Sequence, residues 1–213
     1  MIELNYIFLI ILWILYFLIH SLLAGFRAKT TITHALPYLA NSYRFIYNIL
    51  AIVLLLPQLY LIYAIPSALI WTWSGELKIM ANLLTFAALA GFIWSLKYYN
   101  NIDFLGLNQI RRGTAKNAHQ FTLSPLHRYV RHPWYFFALI LIWTRDMNAH
   151  FFISACCMTV YFIVGSIYEE RKLVIEFGQI YREYQRAVPG LIPSFRRYLT
   201  PQQAEHMLNS KPK

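Results

Sequence analysis

WYFFALILIWTRDMNAHFFISACCMTVYFIVGSIY, residues 134–168, is the stretch that decides the fold. Ten apolar residues are followed by Thr144 to Asn148, TRDMN, and then by twenty more residues that are nearly all apolar. Continuous apolar runs of this kind belong in hydrocarbon as helix, and the interruption divides this one into two helices joined by a tight turn. At about 1.5 Å per residue, the first arm covers only about half of the roughly 30 Å of bilayer hydrocarbon. The expectation is a hairpin whose tip is tilted or stops short of the far surface.

Three further apolar runs precede the hairpin. Hydrophobic residues form 58% of the 213-residue chain and charged residues 13%, with a mean hydropathy of +0.43. This composition excludes an ordinary soluble domain. The expected fold is an all-α, polytopic membrane protein of about five transmembrane helices, at about 5–24, 45–65, 79–98, 133–145 and 149–168. The last two form the hairpin, and a cytoplasmic C-terminal region with an amphipathic helix follows over 169–213. No repeat, low-complexity tract or Gly/Ser linker divides the sequence, so 1–213 reads as a single integral-membrane domain. The first run has only Glu3 before it, with no basic segment and no clear cleavage site, and is expected to be retained rather than removed as a signal.

The net charge of +10 at first suggests nucleic acid. Its placement argues otherwise. With the N-terminus outside, residues 25–44, 97–131 and 169–213 share one side and hold 17 of the 19 Lys and Arg, leaving Lys78 and Arg145 opposite. Basic loops stay in the cytoplasm, so the excess is a topological signal: the C-terminus is expected to be cytoplasmic, with the basic loops held against anionic lipid. Cys156 and Cys157 are neighbours on one helix and do not face each other, so they read as small apolar filler. His20, His119, His127, His132 and His150 lack compact ligand spacing, and no metal is expected.

The polar residues flanking the hairpin carry the chemistry. RYVRHPWY, residues 128–135, enters it, and Glu169 and Glu170 leave it, so the turn returns two carboxylates to the face where Arg128, Arg131 and His132 begin. Pro133 suits the first turn of a helix, which has no use for its missing N–H. Two readings follow. The carboxylates either form salt bridges at a solvated face, or they make the acidic side of a site for a zwitterion with an apolar body. Beyond them, Leu173, Phe177, Ile180, Tyr181 and Tyr184 recur at three- and four-residue spacing, predicting an amphipathic helix that ends before Pro189. Gly178 interrupts it, which suggests a close approach by a ligand or a facing loop.

The pattern RHPWY, followed after the hairpin by YEERKLVIEFGQIYREYQRAVPGLIP, resembles the membrane methyltransferase superfamily of isoprenylcysteine carboxyl methyltransferases and phospholipid methyltransferases. HSLLAGFRAK, YRFIYNILA and NIDFLGLNQ resemble the bacterial branch that includes methanethiol S-methyltransferases and NnrU-type proteins. The resemblance implies S-adenosyl-L-methionine as cofactor, held by His132, Pro133, Tyr135, Glu169 and Glu170, with Tyr181 and Tyr184 closing the pocket. Arg131, His20 and Asp103 are the implied catalytic candidates, and Ser21, Gly106 and Gln109 the implied substrate contacts. Pro125, His127 and Phe137 depart from the family pattern, which usually has Gly and Tyr at the first two positions and frequently Gly at the third. The implied reaction is methyl transfer to a small or hydrophobic acceptor, foremost a thiol. An isoprenylcysteine carboxylate or a lipid amine is an alternative acceptor, and an NADPH-dependent membrane reductase or a non-catalytic accessory protein an alternative role.

Overall fold

A computed structural model of the chain describes residues 2–98, 107–112 and 121–209. In chain order its helices are α1 (Ile2–Ala24), α2 (Phe26–Ala35), α3 (Tyr43–Tyr63), α4 (Gly75–Ser95), α5 (Leu107–Arg112), α6 (Pro133–Trp143), α7 (Ala149–Phe177), α8 (Gln179–Ala187) and α9 (Pro201–Asn209), with short strands β1 (Leu69–Trp71) and β2 (Met147–Asn148). Among the described residues four helical stretches, Leu4–Ala24, Tyr43–Tyr63, Gly75–Tyr98 and Ala149–Phe177, are long and apolar enough to cross a membrane, and the apolar α6 is shorter, at 11 residues. Their surfaces are apolar too, with Leu18, Phe86 and Val160 among the exposed side chains. Such a surface suits a lipid solvent, in which only the backbone needs internal partners.

The chain forms two compact units. The first comprises the described parts of Met1–Thr72, Tyr99–Asn117 and Asp146–Cys157. Here α1 lies against α3, tied by Gln58 Nε2 donating to Leu12 O (3.1 Å) and by the Tyr43 hydroxyl donating to Leu23 O (2.7 Å). Trp13 Nε1 donates to Ser154 Oγ at 2.9 Å. β1 and β2 pair antiparallel, with Leu69 opposite Asn148 and Trp71 opposite Met147. Asn148 Oδ1 then accepts from Phe151 N (2.8 Å), capping the start of α7.

The second unit comprises the described parts of Trp73–Tyr98, Ala118–Arg145 and Met158–Lys213. α4 packs closely along α6: Trp134 Nε1 donates to the buried Ser95 Oγ (2.8 Å), and the Thr85 and Thr144 hydroxyls meet at 2.7 Å. Gly91 makes this approach feasible, because a Cβ there would stand 2.6 Å from the ring of Phe137. The bulky residue at 137, where the family frequently has glycine, is thus accommodated by a glycine on the facing helix. A separate small core gathers Tyr181, Tyr184, Val188, Leu199 and Ala204, with Phe121, Leu173 and Phe177 packed on it.

Two findings at the end of α7 differ from expectation. The helix expected over 149–168 runs on to Phe177, since nothing between Glu169 and Phe177 breaks a helix. It stops at Gly178, whose backbone (φ 60°, ψ −128°) lies where essentially only glycine goes. No described atom of the chain lies within 4 Å of a Cβ added at Gly178, so among the described residues no facing loop approaches it and its role there is conformational.

Candidate functional site

The cluster at the start of α6 belongs wholly to the second unit. Pro133 occupies the first helical position, and this fixes His132 as the residue before the helix (φ −120°, ψ 70°) with its ring facing α7. About three turns of unbroken helix carry α7 from Thr159, which accepts a hydrogen bond from Trp143 Nε1 (3.0 Å), down to Glu169 and Glu170. The segment after α8 closes the arrangement: Arg131 N donates to Pro189 O (2.9 Å) and His132 N to Gly190 O (3.0 Å).

Glu170 is the hub. Its Oε1 accepts from Arg131 Nε (2.8 Å) and pairs with His132 Nε2 (3.0 Å), while its Oε2 accepts from Arg131 Nη2 (3.0 Å) and Gln185 Nε2 (2.8 Å). The remaining terminal nitrogen of Arg131 donates to Gln185 O and Val188 O. The guanidinium therefore bridges α6, α7 and the end of α8 through a bidentate carboxylate contact and two carbonyls, with only 13% of its side chain exposed.

Glu169 differs. Its side chain is 48% exposed, and its Oε2 accepts from the Tyr135 hydroxyl (3.2 Å) and lies 3.4 Å from His132 Nδ1. His132 stacks on Tyr135 (ring centres 5.3 Å apart, planes 7° apart), and Tyr135 stacks in turn on Phe162 (5.0 Å, 16°). The result is a stacked aromatic wall ending in a carboxylate with solvent access.

Burial disfavours the charged form of His132, but its hydrogen bonds and attraction to Glu169 and Glu170 prevail, so its pKa is raised. His127 behaves oppositely. Burial, reinforced by the charge on His132, lowers its pKa to about 4 against a smaller opposing effect of Glu169. Its Nδ1 lies 2.7 Å from Ser124 Oγ, and its carbonyl accepts from the Tyr184 hydroxyl (2.6 Å). Burial and the negative charge of Glu170 push the Tyr181 phenol upward.

Of the residues singled out from the sequence, Arg131, His132, Pro133, Tyr135, Glu169 and Glu170 meet in this cluster. Tyr181 and Tyr184 are each 2% exposed and sit in the small core of this unit. His20 lies in the first unit, its Nε2 2.7 Å from the Tyr47 hydroxyl and its ring stacked on Tyr16. Ser21, at the end of α1, is exposed, and Gln109 is half-buried in α5. Asp103 and Gly106 lie outside the described residues. Sequence reasoning missed Phe162, Gln185 and the carbonyls of Val188 to Gly190. Phe162 sits two turns before Glu169 on α7, a spacing that puts both on one face, while the carbonyls leave no trace in residue identity.

Methanethiol S-methyltransferase of Mycobacterium tuberculosis is 31% identical over 181 residues, covering 82% of this chain and 72% of that protein. The chain belongs to the methanethiol S-methyltransferase family. Within it, methanethiol S-methyltransferase 2 of Bradyrhizobium diazoefficiens is 37% identical over 98 residues, 44% of this chain and 38% of that protein. Methanethiol S-methyltransferase 1 of the same organism is 31% identical over 128 residues, 57% and 45% respectively. The matches thus span less than half the length of these two Bradyrhizobium relatives. No protein-family model and no solved structure matches the chain.

Proposed function

We propose that this chain is a multi-pass membrane methyltransferase that uses S-adenosyl-L-methionine to methylate a small thiol, with methanethiol the first acceptor to test. The likeness over four-fifths of the chain to a protein named for that activity carries the reading. The chain would cross the membrane several times with its basic side cytoplasmic, a topology that suits a charged cofactor arriving from the cytosol and an apolar acceptor arriving through lipid.

The cluster fits the cofactor. Glu169 is a half-exposed carboxylate available to an ammonium group, and the Tyr135 and Phe162 rings offer an apolar wall for the rest of the molecule. When bound, S-adenosyl-L-methionine supplies a methyl group on a sulfonium to a nucleophilic sulfur. The protein orients its ligands and excludes water. His132, whose charged form the two carboxylates favour, holds the position of Glu169, and the Tyr135 hydroxyl donates to the same oxygen. Arg131, with its nitrogens directed to Glu170 and two carbonyls, acts as a positioning residue. His20 and Asp103 are the groups to test as proton acceptors from the thiol, since the thiolate is the nucleophile.

The test uses the purified full chain in detergent. S-adenosyl-L-methionine or its demethylated product raises the unfolding temperature, and labelled methyl passes to thiols ahead of amines and carboxylates. Stabilisation by NADPH instead, or by neither ligand, overturns the reading.

A further inference from the structure

The segment from Gly190 to Leu199 leaves and re-enters the start of α6 within a few residues. At one end Gly190 O accepts from His132 N, and at the other Leu199 N donates to Arg128 O while Arg128 Nε donates back to Leu199 O (both 2.9 Å). Both ends of the loop are thereby fastened to residues 128–132, directly before the apolar α6. Between these anchors the sequence reads LIPSFRRY. Its apolar side chains turn outward, Ile192 72% and Phe195 92% exposed. Arg196 and Arg197 follow, both exposed, and Tyr198 stacks on Tyr129 (5.6 Å, 17°), which also lies under the Arg128 guanidinium.

A phenylalanine nine-tenths exposed to water is costly, whereas two apolar tips, a tyrosine pair and adjacent arginines are the composition of a bilayer interface. We propose that the 190–199 loop is a membrane anchor: Ile192 and Phe195 insert into the leaflet in which α6 begins, and Arg196 and Arg197 meet its anionic headgroups. The charge favours lipid over a second copy of this strongly basic chain, and the fastening to the start of α6 sets the depth.

The experiment places an environment-sensitive NBD fluorophore on the full chain in nanodiscs, in a Cys156→Ala, Cys157→Ala background. It is attached through Phe195→Cys, Ile192→Cys or, as an aqueous reference in the exposed part of α9, Gln202→Cys. Emission at 192 and 195 is expected to be blue-shifted, quenched by lipid carrying a shallow nitroxide and protected from aqueous dithionite, while that at 202 is none of these. Emission at 192 and 195 matching 202 overturns the proposal, as does protection that depends on protein concentration rather than on nitroxide lipid, the sign of a protein partner. Anionic lipid is expected to deepen the label at 195, and Arg196→Gln with Arg197→Gln to remove that dependence. An unchanged lipid response in this double variant overturns the arginine half.

Discussion

Replacing the two neighbouring glutamates one at a time separates structure from ligand binding. Glu170→Gln removes the counter-charge of a guanidinium whose side chain is 13% exposed, within a contact whose other partner is 14% exposed. Breaking a buried ion pair from one side costs about 3–5 kcal/mol, and with some water still present the lower end applies. For a chain of this size each kcal/mol moves the unfolding temperature by about 2–4 °C, so a fall of about 6–12 °C is expected. Glu169→Gln touches a carboxylate 48% exposed and is expected to cost at most about 1 kcal/mol. The ligand response reverses the order. At about 100 times its Kd a ligand adds about 2.7 kcal/mol, and Glu169→Gln is expected to lose that gain while Glu170→Gln keeps part of it. The assay is thermal unfolding in detergent with and without S-adenosyl-L-methionine. A Glu170→Gln protein as stable as the parent, or a Glu169→Gln protein with an undiminished ligand shift, refutes the division of roles.

His132 and His127 give opposite pH signatures. His132 has a raised pKa, so its stabilisation is fully present below about 6.5 and is lost as pH rises through the raised value; His132→Gln is expected to flatten stability on that alkaline side in a pH series of chemical denaturation. His127, held neutral with a pKa of about 4, loses stability as pH falls from about 6.5 towards 4, by about 3 kcal/mol over that interval. His127→Asn is expected to remove that acid sensitivity, and its persistence in the variant refutes the assignment. Gly91→Ala drives a methyl into the Phe137 ring and is expected to cost about 1–3 kcal/mol, with Phe137→Leu restoring much of it in the double variant. Gly178→Ala is expected to cost about 1–3 kcal/mol from backbone strain alone, read as a lowered unfolding temperature, because no neighbour crowds the position.

Hydrophobic run length marked α1, α3, α4, α6 and the apolar part of α7, because each long apolar segment needs a lipid or protein partner along its whole surface. The same reading located the residues of the cluster, since Pro133 and the length of α7 constrain where His132 and Glu170 lie along their helices. It did not tell Glu169 from Glu170. Adjacent residues on a helix point about 100° apart, and only packing decides which of the two turns inward to Arg131 and Gln185 and which keeps half its surface in solvent. Nor did the sequence show that Tyr181 and Tyr184 fill a core, that Gly91 makes room for Phe137, or that the carbonyls of Val188, Pro189 and Gly190 hold residues 131 and 132. The sequence by itself determined where the long apolar helices lie and which polar residues gather beside them, while α2, α5 and α9 and the run of α7 on to Phe177 were not read from it. The tertiary structure decided how their donors and acceptors are shared, because hydrogen-bond partners separated by 38 to 57 residues are set by how the elements pack and not by local spacing.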